Sequence, residues 1–486
     1  MKKVGTAIVM LIFLSQGLFA QNEVDALRYS RLMYGGTARF MGMGGAFGAV
    51  GADFSTLSLN PAGIGLYRMS EFSITPSLFG GKTISDYLGN EETDSKHNFN
   101  IGNVGIVFVN SYGRDKGLKF LQFGIGLNRL NNFNNRILTE GFSTESSLIE
   151  TYVDRANGIY FGDIEDNYNG YYTFDLNPAW YTYLIDTVPG TTDQYFGAVN
   201  TDNGGVLQRR EVTSRGSMNE FVFSMGANFS ERVYLGGTIG MPFIKYYEES
   251  VYSEVDTENN HQGFENFHIY DELTTKGSGI NFKFGTIVRP TDWLRVSGAV
   301  HTPTFYNRLS DSWITYTENA GYDRAYSPRG NFDYELETPY RLMAGLAFVL
   351  PKIGMISADY EYVDYSQARL RSTNYSFFDE NAAINNVYQS ASNLRFGGEV
   401  VYRNYQFRGG YAMYGSPFSG SINDGETFTY SGGLGYREKN FFIDFAYVHS
   451  VMNEDYYLYS SQDIQPQPVE NTFRTNTFLL TVGLRY

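Results

Sequence analysis

From about Glu71 to the last residue, apolar and polar side chains alternate with a period of two. Over 472–486, Phe478, Leu480, Val482, Leu484 and Tyr486 share one face, and Thr477, Thr481, Gly483 and Arg485 share the other with Leu479. Over 217–229, Phe221, Phe223, Met225, Ala227 and Phe229 oppose Glu220, Ser224, Gly226 and Asn228. A third apolar face reads Tyr340, Leu342, Ala344, Leu346, Phe348 and Leu350. The pattern predicts fourteen strands, near 71–79, 99–110, 119–134, 217–229, 232–252, 265–290, 293–318, 333–350, 353–373, 392–403, 405–416, 427–438, 440–459 and 472–486. Short connections (111–118, 230–231, 291–292, 351–352, 404 and 439) alternate with long ones at 80–98, 135–216, 253–264, 319–332, 374–391, 417–426 and 460–471.

A soluble sandwich or propeller would alternate too, but strands of globular proteins usually run about 3–10 residues, and many of these are longer. Backbone groups in lipid must all be paired, so such strands have to close on themselves. Tight turns on one side and long loops on the other fit an outer-membrane barrel. The predicted fold class is all-β, a 14-stranded antiparallel transmembrane β-barrel over 71–486, with both ends on the short-turn side. The long insertion at 135–216 is read as an extracellular lid. It has a short helix near 144–157, an acidic and aromatic tract at 162–174, and Pro178-Ala179-Trp180.

Before the alternation comes a glycine-rich stretch, Gly35 to Tyr67, with small residues between the glycines and an Asn60-Pro61-Ala62-Gly63 turn. Glycine tolerates close backbone approach, and proline fixes its own φ. The stretch is too short to own a core and has no cysteine to staple it. It needs a wall, and a fourteen-stranded barrel is wide enough to need a filling. Residues 21–70 are therefore read as a hatch plugging the lumen. Gly42, Gly44 and Gly45 are read as close-packed positions, Asn60 and Pro61 as supports continuing into Ala62 and Gly63, and Arg39, Asp53 and Asn60 as polar contacts.

Residues 1–20 read as a secretory signal peptide: Lys2 and Lys3, an apolar run from Ala7 to Leu14, and Ala20 before Gln21. Its removal leaves 35 basic against 52 acidic residues, which argues against a nucleic-acid partner. Forty tyrosines and 38 phenylalanines suit strands facing lipid at mid-height and the interface at their ends. With no cysteine, disulfides and thiolate chemistry are excluded.

The histidines (His97, His261, His268, His301 and His449) form no hydrolytic arrangement, because neighbours such as His449 and Ser450 point to opposite faces of a strand. His301 precedes Thr302-Pro303, where a kink or bulge is expected. The glycine-rich stretch lacks the lysine of a phosphate loop. Acidic patches at Asp86, Glu91, Glu92 and Asp94, and at Asp379-Glu380, lack the spacing of a calcium loop. No catalytic residues, metal or cofactor are expected.

The order Gly42-Met43-Gly44-Gly45-Ala46, Gly51-Ala52-Asp53, Asn60-Pro61-Ala62-Gly63 and then a first strand resembles the hatch of FadL-type outer-membrane transporters for long-chain fatty acids and aromatic hydrocarbons. Phe478 to Tyr486 resembles the terminal signal read by the barrel-assembly machinery, although it ends in tyrosine where phenylalanine is commoner. The resemblance implies an outer-membrane, multi-pass protein of a Gram-negative bacterium. A hydrophobic small molecule would be captured at the outer loops and leave sideways through the wall into outer-membrane lipid. By the same analogy, a kink in the third strand, at Asn131, Asn132, Phe133 and Asn134, would be the opening. Related barrels of the Bacteroidota serve as docking platforms for secretion or surface proteins, and the chain looks like a relative of those too. A polar-solute porin fits less well, because a filled lumen obstructs flow.

Overall fold

The computed structural model describes residues 22–165, 172–420, 423–461 and 463–486. The expected signal peptide lies outside the described residues, as does part of the 162–174 tract. Within them, fourteen antiparallel staves close into one barrel. They are β1 (Glu71–Tyr87), β2 (Asn90–Ser111), β3 (Leu118–Asn132, continued as Asn135–Ser143), β4 (Val206–Phe229), β5 (Val233–Val255), β6 (Asn266–Val288) and β7 (Leu294–His301, continued as Phe305–Asn319). The second half comprises β8 (Gly330–Glu337, continued as Arg341–Leu350), β9 (Gly354–Asp364, continued as Arg369–Arg371), β10 (Ser390–Tyr402), β11 (Tyr405–Tyr414), β12 (Thr427–Arg437), β13 (Phe441–Tyr456) and β14 (Val469–Arg485). The seam joins β1 to β14 in register from Glu71↔Arg485 to Asp86↔Glu470. Reciprocal backbone bonds between Ser70 and Tyr486 and an Arg485–Glu71 ion pair at 2.8 Å finish its lower end.

The alternation sorts as the pattern predicts. Phe478, Leu480, Val482, Leu484 and Tyr486 are exposed, as are Phe221, Phe223 and Met225, while Thr481, Glu220 and Asn228 are buried in the lumen. No helix among the described residues is long and apolar enough to cross a membrane.

Three expectations change. The loop expected at 80–98 is strand: β1 and β2 pair up to Tyr87↔Asn90 and turn at Leu88 and Gly89, both at positive φ, as a two-residue hairpin turn requires. Above the lipid the inner face of this hairpin buries the small polar residues Thr83 and Ser85 beside Tyr87, and the outer face exposes Lys82 and Asp86, so its apolar alternation fades although its ladder continues. The excursion expected at 135–216 is strand at both ends, where 135–143 pairs with 206–214 and leaves 144–205 between them. Finally, besides the break at 302–304 in β7, where a kink or bulge was expected, β8 and β9 are interrupted, at 338–340 and 365–368. Pro303 and Pro339 cannot donate a ladder bond in the first two.

Candidate functional site

The hatch folds as a series of short turns, each started by a side-chain oxygen that takes an otherwise unpaired N–H. Asn22 caps helix α1 (Glu23–Ser30), Thr37 caps α2 (Ala38–Gly42), and Asp53 and Asn60 cap the 3-10 turns Phe54–Ser58 and Pro61–Leu66. Pro61 stands in the first turn, where its missing N–H costs nothing. Asp53 also accepts from Thr37 Oγ1 at 2.7 Å, and Asn60 Nδ2 donates to Gly48 O at 2.7 Å. Asp53 therefore acts inside the hatch. Asn60 is also mainly internal, with a longer bond to the wall at Thr286 O, 3.4 Å. Ala62 is buried against Tyr234 and Ile287 of the wall, while Gly63 packs on Thr56 and Gly51 within the hatch.

The hatch binds the wall through pairs that the sequence reading did not find. Arg39 forks onto Glu399 of β10 at 3.1 and 3.2 Å, and Arg408 of β11 links Glu399 to Asp444 of β13 at 2.6 Å each. Gly48 N donates to Asp359 at 2.7 Å, Ser58 Oγ to Glu220 at 2.7 Å, and His301 Nε2 meets Leu59 O at 2.8 Å. His301, to which the sequence reading gave no catalytic role, is thus a latch. Below α2 the wall is bare. Gly42 lies over Gly433 and Ala446, Gly45 packs on Phe40 and Arg395, and Gly44 (φ +62°) lies so close to Gly410 that a Cβ added to Gly410 would come within 2.1 Å of Gly44 N. The available signal was the glycine pairs 397–398, 409–410 and 432–433 inside strands, which mark close backbone approach.

The wall itself has a gap. β3 pairs with β2 only from Asn103↔Asn128 to Ser111↔Phe120, while β2 continues upward beside β1 alone. β3 bulges between Arg129 and Asn131, breaks at Phe133–Asn134, and bends inward behind the β1–β2 hairpin. There Asn135 accepts from Thr83 at 3.0 Å and Glu140 O accepts from Asn90 Nδ2 at 3.0 Å. Asn132 Oδ1 receives Asn134 Nδ2 at 2.6 Å and stabilises the bend. Phe133 turns into the lumen, with its ring 5.4 Å from Tyr246 and 6.1 Å from Tyr29 of the hatch.

Where β2 leaves β3, the hatch takes its place. Met33 N donates to Leu130 O and Gly35 N to Arg129 O, both at 2.9 Å, and Asn131 Nδ2 donates to Arg31 O at 3.1 Å. Residues 31–35 thus act as a short substitute strand at the foot of the gap.

Above, residues 144–205 fold over the barrel mouth. Helices α3 (Leu148–Ala156), α4 (Phe161–Glu165) and α5 (Leu176–Tyr181) bury Ile149, Ile164, Leu176 and Ala179 against Tyr87, Tyr252, Phe267 and Tyr459 of the wall. Glu254, fully buried on β5, accepts from Leu148 N at 2.8 Å, Tyr252 at 2.7 Å and Gln208 at 3.0 Å, and holds the start of α3. A second apolar cluster lies deeper, around Tyr29, Tyr34, Phe133, Tyr246, Tyr306 and Tyr334. Between the two clusters, Glu248 and Ser250 intervene on β5 and Asp271 on β6.

In the lid, burial raises the Asp175 carboxyl above its ordinary range, against the pull of Arg155 at 2.5 Å and the Leu176 N–H. Among the described residues no group of three or more His, Asp or Glu side chains is placed to hold a metal ion. The Asp86 and Glu91 patch faces itself across the β1–β2 ladder, and Asp379 and Glu380 lie in the first turn of helix α6 (Phe378–Val387).

The fold matches several solved barrels. A Pseudomonas aeruginosa FadL homologue aligns over 93% of this chain and 99% of its own, with a TM-score of 0.57 and 12% identity. The Pseudomonas putida toluene transporter TodX aligns over 93% and 98%, with a TM-score of 0.54 and 12% identity. The Ralstonia pickettii toluene transporter TbuX does so over 93% and 98%, with a TM-score of 0.51 and 15% identity. No family model and no curated protein sequence matches the chain. At these identities the likeness establishes the fold, a FadL-type barrel.

Proposed function

We propose that the chain is an outer-membrane channel for hydrophobic compounds, long-chain fatty acids among them, taken up at the lid and released sideways between β2 and β3. The observation that carries this reading is the gap left where β3 parts from β2, closed at its foot by hatch residues 31–35 rather than by the wall. A strand that merely ended would need no such stopper. In this reading Asn131, Asn132, Phe133 and Asn134 form the opening, with Phe133 as the side chain that must move. Gly42, Gly44, Gly45, Asp53, Asn60, Pro61, Ala62 and Gly63 keep the hatch seated, and the Phe478 to Tyr486 face serves assembly. An apolar chain gains about 0.8 kcal/mol per CH2 on leaving water, so a side exit into lipid spares it the periplasm. The fold's neighbours include toluene transporters, in keeping with an apolar cargo.

The chain has no cysteine, so a lock can be installed cleanly. A Cβ at Gly35 would lie 3.2 Å from Arg129 Cβ, near the spacing a disulfide spans. Oxidised G35C/R129C should stop uptake of a labelled long-chain fatty acid, and reduction should restore it. Equal uptake in both states would refute the side exit. Replacing Asn60 and Pro61 should slow uptake more than it lowers barrel stability.

One observation favours a docking platform instead. Tyr160, Tyr181, Tyr183, Phe196, Tyr322 and Tyr326 are exposed at the outer end, and the polar layer of Glu248, Ser250 and Asp271 interrupts the apolar path below them. Native mass spectrometry of protein extracted from its own membrane separates the two, through a small apolar adduct or a stoichiometric protein partner.

A further inference from the structure

On the lipid-facing side of β5, outward positions are apolar from Leu235 through Ile239 and Met241 to Phe243, and then the next is Lys245. From Val233, beside the short turn, to Lys245 the strand climbs about 40 Å at ~3.4 Å per residue. At a barrel tilt near 40° that is about 30 Å of height. Lys245 therefore lies at the far edge of the hydrocarbon, on the long-loop side.

Its ladder partner on β6 is Lys276. Two ammonium groups directly opposite each other repel, and neither pairs with a carboxylate among the described residues. On β7 the rung continues to Ser310, with Arg308 opposite Ser278 one step lower. These five side chains line a cleft of about 450 Å³ on the outside of the wall. It lies where the β5–β6 ladder skips Met241 and Pro242, and where the β6–β7 register shifts between Phe305 and Arg308.

Asp333 of β8 stands opposite Ser310 on the same rung, takes a hydrogen bond from it and meets Arg308 at 2.8 Å, with both charged side chains well exposed, which leaves Lys245 and Lys276 as the cations of the cleft without a carboxylate. The carboxylates on these strands, Glu249 opposite Glu272, lie two outward positions higher, beyond Tyr247, on which Arg215 stacks at 4.1 Å. Below the cleft Met241, Phe282 and Phe305 are exposed to lipid.

The geometry points to a binding site for the phosphate-bearing head of an outer-leaflet lipid. Lys245 and Lys276 meet the phosphate with Arg308 beside them, Ser278 donates to its oxygens, and the acyl chains lie along the aromatic wall below. Charge-assisted bonds from two unpaired ammonium groups, with a guanidinium at their side, suit a phosphate. The apolar face directly beneath favours a lipid over a soluble anion. The site depends on the barrel spanning the membrane and not on what passes through it.

The test is native mass spectrometry of the full chain in mild detergent, titrated with bisphosphorylated lipid A, the same lipid A without phosphates, and inorganic phosphate. The phosphorylated lipid should bind at least tenfold more tightly than the dephosphorylated one. K245Q/K276Q should lose that preference, and K352Q/K439Q, with the same charge change at the short turns, should keep it. S310D, which adds a second carboxylate beside Asp333 without removing a lysine, should lose it as well. Equal binding of the two lipids, or a K245Q/K276Q variant that binds like the parent, would overturn the site. Inorganic phosphate binding as tightly as the lipid would overturn its assignment to lipid.

Discussion

Arg39→Ala removes the central ion pair between hatch and wall. The guanidinium is buried, forks onto Glu399, donates to Ala52 O at 3.2 Å and lies over the Phe47 ring at 5.2 Å. Breaking a buried pair costs about 3–5 kcal/mol when it strands a charge. Here Glu399 keeps Arg408 at 2.6 Å, so the lower figure applies, about 3 kcal/mol. At roughly 1.4 kcal/mol per tenfold, that shifts hatch opening by about a hundredfold. Hydrogen exchange of the full barrel in detergent reads this directly. Amides of 33–52 should lose about two orders of magnitude of protection, while β10, β11 and β13 keep theirs. Glu399→Gln should act more strongly, because it leaves two buried arginines facing a neutral amide. If hatch protection were unchanged, or the wall strands loosened equally, the hatch would not be a separately seated unit held by this contact.

Gly410→Ala should unseat the same hatch by overpacking, at a cost of about 1–3 kcal/mol. Gly409→Ala, whose added carbon meets nothing within 4 Å, should leave hatch exchange unchanged. Glu254→Ala strands several buried donors at the start of α3, and limited proteolysis within 144–205 should speed up, consistent with a loss of about 2–3 kcal/mol of lid stability. The raised carboxyl of Asp175 means that the seated lid holds its proton more tightly than the unfolded chain does. The stability it contributes is therefore present at low pH and lost as pH rises from about 4 through the raised value. Lid proteolysis should accelerate over that range, and Asp175→Asn should flatten the profile.

Much of this architecture was legible in the sequence. A stave with one face in lipid must alternate, so the fourteen strands and their orientation could be read from single segments such as Phe221 to Phe229. A segment rich in glycine, without a core of its own, must lean on something, and the order of Gly44, Asp53 and Asn60 identified it as a hatch. Alternation failed where its cause stops: above the lipid, the outer face of the β1–β2 hairpin carries Lys82 and Asp86 and its inner face Thr83 and Ser85, so no apolar face marks 80–98 as strand and it read as a loop. The same absence hid the strand ends at 135–143 and 206–216.

What the sequence by itself determined was which residues face lipid and which face inward where the alternation is clean, as over 217–229, 340–350 and 472–486, because that depends only on local period and solvent. The tertiary structure alone decided which inward residues meet. Arg39 and Glu399 lie 360 residues apart and Leu59 and His301 lie 242 apart, and closure of the barrel brings them together. It also decided that the partner of β3 above Asn128 is residues 31–35 of the hatch rather than β2. A backbone hydrogen bond carries no side-chain signature, so no pattern of residue types records who makes it.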